Sequence, residues 1–216
     1  MISLENKNRL VYGIIFVCIL WFGTSYSALS CSILFAIIGL ICFYEMWQLR
    51  IGKTKILALL YVLIPFISIQ IIIYFSNSWI YWYSDGILNI LIATWTFDSF
   101  AYIIGVKFGK NKILPSISPN KSWEGFFGGM IVTIILAFLY CLYEEKNFTD
   151  DYMLLAIIVP FLATLGDFIQ SAYKREAGVK DSGNLIPGHG GMLDRMDSLL
   201  ISIPFFTIYT IIIILK

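Results

Sequence analysis

Residues 10–47 read LVYGIIFVCILWFGTSYSALSCSILFAIIGLICFYEMW, an almost uncharged stretch of 38 residues. An α-helix needs about 20 apolar residues to cross a bilayer, so the stretch is too long for one span and right for two. The small and polar residues at Gly23–Ser25 mark the expected break between the two helices. The stretch therefore predicts a pair of transmembrane helices near the start of the chain.

The composition of the whole chain agrees with that prediction. Hydrophobic residues make up 59% and charged residues 13% of the 216 residues, whereas soluble domains carry roughly 25% charged residues. These values exclude a soluble globular enzyme and leave no room for a separate soluble domain. We therefore expect residues 1–216 to form a single transmembrane catalytic domain, with N-terminal helices in 10–75 and a catalytic part in 87–216.

Further apolar runs extend the helical pattern along the chain. They cover residues 56–75, 87–104, 125–143, 152–172 and 193–215. Together with the first pair, these runs predict an all-α, polytopic integral membrane protein with about seven transmembrane helices.

The lysines and arginines predict the orientation of this helix set. In the seven-span arrangement, thirteen of the fifteen Lys and Arg residues fall on one side of the membrane. The positive-inside rule makes that side cytoplasmic, together with the N-terminus and the loops that carry candidate site residues. The residues on this side are Lys7, Arg9, Arg50, Lys53, Lys55, Lys107, Lys110, Lys112, Lys121, Lys174, Arg175, Lys180 and Arg195.

Three aspartates lie in or beside predicted spans, near the cytoplasmic ends of their helices. A carboxylate in a span costs several kcal/mol unless it is paired, hydrated or metal-bound, which makes Asp98, Asp167 and Asp194 functional candidates. Each alone is also compatible with an ion pair or a helix cap, and Asp194 especially so, since an acid in a first turn complements the helix dipole. Together with Asp197, one helical turn after Asp194, they predict a cation site that suits Mg²⁺.

The segment after Asp167 combines basic residues with a glycine-rich loop. Asp167, Ser171, Lys174 and Arg175 share one helical face, so a metal on Asp167 would lie near phosphate-binding cations. The following loop contains Gly-His-Gly-Gly at 188–191, and glycines permit close approach of the backbone to a ligand. We expect its backbone N–H groups, and those at the start of the next helix, to bind phosphate. His189 in this loop is a candidate acid, base or hydrogen-bond donor, or else a surface residue.

A second polar segment follows Asp98. Its lysines and hydrogen-bond donors suit a polyphosphate, and its candidate substrate-binding residues are Ser118, Asn120, Lys121 and Ser122. The alternative is a topology-setting basic loop with affinity for anionic lipid. Glu124 opens the next helix, where it caps the helix or takes part in catalysis.

At this point the residues resemble a known family, the CTP:phosphatidate cytidylyltransferases or CDP-diacylglycerol synthases. The resemblance has the pattern Ser, Lys-Arg, Lys-Asp and then Pro-x-His-Gly-Gly-x-x-Asp-Arg-x-Asp. The matching residues are Ser171, Lys174, Arg175, Lys180, Asp181, Pro187, His189, Gly190, Gly191, Asp194, Arg195 and Asp197. Residues 98–125 resemble a second block of the same family, through Phe-Gly-Lys and Ser-Pro-x-Lys-Ser.

The resemblance implies the reaction of CTP with phosphatidate to give CDP-diacylglycerol and pyrophosphate. It implies Mg²⁺ as cofactor, with or without a second cation, divalent or K⁺, and it assigns the metal to Asp167 and Asp194. We expect Asp98 and Asp197 as further ligands or supporting residues. Catalytic roles beside the metal ligands are predicted for Lys174, Arg175, Asp181 and His189. Substrate binding is predicted for Ser171, Lys180, Gly190, Gly191 and Arg195, in addition to the four residues at 118–122.

The predicted surroundings follow from the same resemblance. The partners are CTP, phosphatidate and the lipid bilayer, with no nucleic acid; a homodimer is compatible with the family, although no sequence feature requires one. The expected location is a bacterial-type inner membrane, with the active site facing the cytoplasm. Two alternatives remain: a CTP-dependent kinase acting on a polyprenol or phytol, which would release CDP, and a cation transporter built on intramembrane carboxylates.

Overall fold

The structure of the chain is a computed structural model, and it describes residues 4–75, 82–143, 151–185 and 190–214. Residues 76–81 and 144–150, which connect predicted apolar runs, lie outside these ranges. Pro187 and His189, two predicted site residues, also lie outside them.

Eight helices and two short strands make up the described part of the chain. In chain order they are α1 (Leu4–Ser25), α2 (Ala28–Leu49), α3 (Ile56–Phe75), α4 (Trp82–Phe108), β1 (Lys112–Leu114), β2 (Ser118–Ser122), α5 (Trp123–Tyr143), α6 (Asp151–Glu176), α7 (Leu193–Met196) and α8 (Leu199–Ile214).

The helices have the length and composition of a membrane protein. Within the described residues, five helices, α2 to α6, are long and apolar enough to cross a bilayer, and two shorter apolar helices lie at Val11–Ser25 and Leu199–Ile212. Large apolar side chains such as Leu40 and Leu57 are 70% and 78% exposed on the outside of the bundle. Exposed apolar surface of this extent suits contact with lipid chains. The chain is therefore a helical integral membrane protein.

Local hydrogen bonds explain the predicted break between the first two helices. Ser27 caps α2: its side chain accepts a hydrogen bond from Ser30 N–H at 3.0 Å, and Ser30 Oγ accepts one from Ser27 N–H at 3.0 Å. This reciprocal pair is a capping box, which favours the start of a new helix. Residues 10–47 thus form two helices, as the length of the apolar stretch predicts.

The segment between α4 and α5 contains the only strands among the described residues, in an otherwise helical chain. β1 and β2 pair antiparallel, with Lys112 opposite Ser122 and Leu114 opposite Ser118. Glu124 fastens the base of this hairpin, because its carboxylate accepts hydrogen bonds from the backbone N–H groups of Lys110 and Asn111, both at 3.1 Å. These hydrogen bonds go to residues that precede β1, so the two predicted roles of Glu124, helix cap and catalytic residue, stay predictions.

Close packing of α4 against α5 places the hairpin beside the bundle. A side-chain carbon added at Gly125 would lie 2.6 Å from Ala101 O, and one added at Gly129 would lie 2.9 Å from Phe97 O. Small residues allow two membrane helices to approach this closely. The contact holds the part of α4 that contains Asp98 against the helix that follows the hairpin.

The predicted helix at 193–215 is interrupted. α7 ends at Met196 and α8 begins at Leu199. At the interruption, Asp197 Oδ1 accepts a hydrogen bond from Ser198 N–H at 3.0 Å. A side-chain oxygen that takes a backbone donor in this way competes with the helical hydrogen bonds. The interruption places Asp197 and Ser198 at a junction between helices, where their side chains reach the interior.

Candidate active site

Two carboxylates from different helices meet at a buried serine between α7 and α8. Ser198 Oγ lies 2.7 Å from Asp98 Oδ2 and 3.0 Å from Asp167 Oδ1, within hydrogen-bond distance of both. Lys121, at the end of β2, donates a hydrogen bond from Nζ to Asp167 Oδ2 and forms an ion pair with it. We refer to Asp98, Asp167, Ser198 and Lys121 as the Asp98 cluster.

A third carboxyl group, that of Asp197, lies near this cluster. It interacts electrostatically with Asp167 and Asp98, and with the ammonium groups of Lys174 and Lys121. Within the described ranges, no three side chains of His, Cys, Asp or Glu converge into a ready-made metal cluster. The carboxylates that share a contact are therefore a pair, Asp98 and Asp167, with Asp197 as a neighbouring carboxyl group.

A cavity of about 360 Å³ lies on one side of Asp98, between α1 and α4. Aromatic and apolar side chains such as Tyr12 and Phe16 form its α1 wall. Asp194, Arg195 and Ser198 contribute the polar part of its lining. This cavity therefore combines an apolar wall with a charged end.

A larger cavity, of about 610 Å³, lies on the other side of Asp98, between the hairpin and helices α4 to α6. Asp98 and Asp167 line it, and so do all four candidate substrate-binding residues of the hairpin: Ser118, Asn120, Lys121 and Ser122. The structure thus brings the polar segment that follows Asp98 together with Asp167 of α6 around one space. Ser122 has a structural role as well, because its Oγ accepts a hydrogen bond from Gly125 N–H at 3.2 Å.

Asp194 belongs to a different group of contacts. Its Oδ1 accepts hydrogen bonds from Lys174 Nζ at 2.7 Å and Gln170 Nε2 at 3.1 Å. Its Oδ2 accepts from Ser182 N–H at 2.7 Å and Gly191 N–H at 3.0 Å, and lies 3.1 Å from Ser182 Oγ. We refer to these five residues as the Asp194 cluster.

The contacts of Asp194 use all the hydrogen-bonding capacity of its side chain. A carboxylate has about four lone-pair positions, and the two oxygens of Asp194 accept from Lys174, from Gln170 and from the backbone N–H groups of Ser182 and Gly191. Burial opposes the ionisation of Asp194, but the Lys174 ammonium and the N–H donors outweigh it and hold the pKa of Asp194 below its usual value. Asp194 is therefore a charged, fully bonded residue.

The backbone N–H groups at the start of α7, predicted to be free for a phosphate, are occupied by the protein. Glu45 of α2 accepts hydrogen bonds from Met192 N–H at 2.9 Å and Leu193 N–H at 2.8 Å, while Gly191 N–H bonds to Asp194. An anion does occupy this position, as the helix dipole favours. It is a side-chain carboxylate of the chain, so the expectation of free N–H groups is wrong.

The other predicted residues lie around these two clusters. Arg175 is exposed and donates to Val179 O at 3.0 Å, with a longer contact of 3.4 Å to Ile117 O in the hairpin turn. Lys180 and Asp181 are exposed, and Ser171 is half-buried on α6. Gly190 has a φ of 84°, a conformation that favours glycine. For these residues, the predicted catalytic and substrate-binding roles stay predictions.

Sequence reasoning assigned no role to three cluster members, Gln170, Ser182 and Ser198, or to Glu45, which is hydrogen-bonded to Ser182. Glu45, Gln170, Ser182 and Ser198 are all buried in the structure. For Glu45 a signal was present, since a carboxylate inside an apolar run is a functional candidate by default. Ser198 shares a helical face with Asp194 in the sequence, yet its partners come from α4 and α6, which spacing within one segment does not reveal.

A family model described as "Cytidylyltransferase family" matches residues 84–213, more than half of the chain. The chain belongs to the cytidylyltransferase family. The matched region of the family contains both clusters and the hairpin, and it excludes α1, α2 and α3.

Curated relatives in this family are named phosphatidate cytidylyltransferase. The Haemophilus influenzae protein is 44% identical over 128 residues, which cover 57% of this chain and 44% of the relative. The Thermotoga maritima protein is 47% identical over 123 residues, or 54% of this chain and 46% of the relative. The Bacillus subtilis protein is 45% identical over 115 residues, or 53% and 43%. The chain thus matches about half the length of these relatives.

Proposed function

We propose that the chain transfers the cytidylyl group of CTP to phosphatidate, giving CDP-diacylglycerol and pyrophosphate. One observation carries the proposal: the 610 Å³ cavity joins a basic, donor-rich hairpin to the carboxylates Asp98 and Asp167. A polyphosphate needs both cationic donors and a site for a counter-cation, and this cavity offers the two together. The family and the names of its curated relatives support the same reaction.

In the proposed reaction an oxygen of the phosphatidate phosphate attacks the α-phosphorus of CTP. A new P–O bond forms, the bond from the α-phosphorus to the bridging oxygen breaks, and pyrophosphate leaves with that electron pair. The attacking oxygen is already anionic, so the protein needs no nucleophile of its own. Its residues act by positioning the substrates and by neutralising charge.

Lys121 connects the two functions of the cavity. Its side chain is 28% exposed, so its ammonium is accessible to a ligand while it contacts Asp167, which is 14% exposed. An incoming phosphate would compete with Asp167 for the same ammonium. We infer that Lys121 exchanges from Asp167 to a phosphate oxygen when CTP binds, which leaves Asp167 available to a cation.

The Asp98 cluster fits Mg²⁺ by the chemistry of its donors. Mg²⁺ keeps several waters and binds proteins through one or two carboxylates together with substrate phosphates. The pair Asp98 and Asp167 supplies those carboxylates, and the carboxyl group of Asp197 lies nearby. Bound there, Mg²⁺ would neutralise the negative charge that develops on the phosphate oxygens during the transfer. A second cation, divalent or K⁺, stays a prediction.

The geometry favours Asp98 over Asp194 as the partner of Asp167 in holding the metal. All the oxygen positions of Asp194 are used by donors from the protein, and the Lys174 ammonium is one of them. The metal assignment of Asp194 that the family resemblance implies therefore calls for displacement of Lys174. Mutation of the two aspartates separates these assignments, as described in the Discussion.

The seven-span arrangement and the cytoplasmic position of the site are part of the proposal. The hairpin carries several lysines, and the positive-inside rule places such a segment in the cytoplasm, where CTP is found. The apolar α1 wall of the 360 Å³ cavity suits the glycerol and acyl part of a lipid that enters from the membrane. A homodimer is compatible with this arrangement and is not required by it.

Labelled CTP tests the proposed reaction. The purified full-length chain, in lipid nanodiscs with Mg²⁺ and phosphatidate, is given CTP labelled at either the α- or the γ-phosphorus. We expect the α-label in the lipid product and the γ-label in pyrophosphate. Transfer of the γ-label to a polyprenol, with release of CDP, would support a lipid kinase instead. Cation flux in vesicles without nucleotide turnover would support the transporter alternative.

A further inference from the structure

Glu45 connects the N-terminal part of the chain to the loop between α6 and α7, which we call the signature loop. It lies in α2, outside the region that matches the family model. The residue is 6% exposed. Such a buried carboxylate is costly unless its oxygens are bonded, so its partners indicate what it does.

The partners of Glu45 lie within the loop, at Ser182, and at the point where the loop meets α7, at Met192 and Leu193. Oε2 accepts hydrogen bonds from Ser182 Oγ and Leu193 N–H, both at 2.8 Å, and Oε1 accepts from Met192 N–H at 2.9 Å. Ser182 and Met192 are ten positions apart in the chain, and one side chain connects them. The carboxylate thereby fixes the distance between Ser182 and Met192.

The Glu45 carboxylate occupies the space that a side chain would need at two glycines of the loop. A side-chain carbon added at Gly191 would lie 2.4 Å from Glu45 Oε2, and one added at Gly183 would lie 2.9 Å from Glu45 Oε1. Neither space accepts a larger residue without displacing the carboxylate. The loop is therefore shaped around Glu45 at two separate points.

Helix α2 also contacts the end of α6, which precedes the loop. Arg50, at the end of α2, forms an ion pair with Glu176 at the end of α6, and its guanidinium lies 5.2 Å from the centre of the Tyr173 ring. Between Tyr173 and Glu176 lies Lys174, the partner of Asp194. α2 thus contacts the loop at Glu45 and the helix that precedes the loop at Arg50.

We propose that Glu45 is a positioning residue that holds the signature loop in its active arrangement from outside the family's matched region. It acts through Ser182, Met192 and Leu193, and it lines neither the 360 Å³ cavity nor the 610 Å³ cavity. The link to catalysis rests on the proposed cytidylyl transfer, whereas the effect on the loop does not. A displacement of about 1 Å in such a loop can lower turnover on the order of 100-fold.

Glu45→Ala and Glu45→Gln test this proposal. The alanine variant removes all three acceptor contacts. The glutamine variant keeps the size of the side chain, but its NH₂ group must face at least one backbone N–H group, of Met192 or Leu193. We expect kcat to fall about 100-fold in both variants. KM for CTP should change less than threefold, because Glu45 does not contact the nucleotide.

Hydrogen exchange supplies a readout that does not depend on turnover. We expect the amides of residues 190–193 to exchange at least tenfold faster in both variants, with exchange in α3 and α8 unchanged. Ser182→Ala should reproduce part of the loss, and its effect on kcat should not add fully to that of Glu45→Gln, since the two residues share one contact. Ser32→Ala is the matched control: it removes a 2.5 Å contact from α2 to Gln70 of α3, remote from the loop.

Two results would overturn the proposal. One is Glu45→Ala with wild-type loop exchange. The other is Glu45→Ala with exchange accelerated equally in α3, α8 and the loop, which would mean that Glu45 only stabilises the fold. Wild-type chain that shows no cytidylyl transfer would refute the proposed function, while the exchange experiment would still decide whether Glu45 positions the loop.

Discussion

The Asp98 cluster and the Asp194 cluster both border the 360 Å³ cavity, but different donors complete them. In the Asp98 cluster, Asp98 and Asp167 share one serine hydroxyl, and Lys121 is the ammonium in direct contact. In the Asp194 cluster, a single carboxylate receives an ammonium, an amide and two backbone N–H groups. The first cluster has an excess of negative charge and the second does not.

This difference shows why counting acids does not locate a metal site. Asp98 and Asp194 have the same side chain and opposite surroundings. What separates them is the number of donors that the protein aims at each. A carboxylate with few protein donors retains capacity for a cation, whereas one with a full set stabilises the structure.

Asp98→Asn gives the largest expected effect and tests the functional side of the comparison. We expect turnover to fall on the order of 1,000-fold, the loss typical of removing a main source of charge stabilisation in a transition state. The protein should remain folded, because the change removes repulsion from Asp167. The thermal unfolding midpoint in detergent should be equal to or above that of the wild type, measured with a thiol-reactive dye on the buried cysteines Cys31, Cys42 and Cys141.

Asp194→Asn tests the structural side. The change leaves Lys174 buried beside a neutral partner, and breaking a buried ion pair costs about 3–5 kcal/mol of unfolding free energy. We expect a clear fall in the thermal midpoint, measured by the same thiol assay, with turnover reduced as the loop loosens. Full stability with turnover abolished would instead favour Asp194 as a metal ligand, as the family resemblance implies.

Lys121→Met has a smaller expected effect, because Lys121 is partly exposed. We expect KM for CTP to rise about tenfold, roughly the 1.4 kcal/mol that one partly solvated ionic contact supplies. Lys110→Met is the control: Lys110 is an exposed residue of the same segment. Equal effects of the two variants would mean that the segment acts as a diffuse basic surface for anionic lipid.

Glu124→Gln should have the smallest effect. Glu124 is a half-buried acid at the hairpin base, and an amide oxygen can still accept from Asn111 N–H. We expect turnover and the thermal midpoint to stay close to wild type in the assays above. A loss of turnover as large as that of Asp98→Asn would show that Glu124 belongs to the catalytic residues.

The sequence predicted the helices better than it predicted the partners inside the site. Apolar runs fixed the membrane class and most helix limits, since helix α3 has its predicted bounds and α1 and α2 separate near the predicted break at 23–25. Hydrophobicity carries that information along a single segment. The interruption at Asp197 and Ser198 was missed because it depends on a local hydrogen bond within an otherwise apolar pattern.

The sequence identified many residues of the candidate site, but it did not identify which of them contact one another. Asp98, Asp167 and the hairpin residues line one cavity, as expected from their chemistry. The assignment of Asp194 with Asp167 followed from the family resemblance, and a sequence pattern does not reveal which donors face a side chain. The role of Glu45 was not predicted, because its hydrogen-bond partners lie more than a hundred residues away in the chain.

The contacts of α2 bear on how this chain can be divided or recombined. Glu45 and Arg50 lie outside residues 84–213, yet they hold the loop and the end of α6 inside that region. The matched region is therefore not a transferable module. A chimera that replaces helices α1 to α3 with unrelated membrane helices would have to supply an acceptor for Met192 and Leu193 at the same depth. Without one, the grafted half would contain every predicted catalytic residue and still lack the arrangement that makes them work.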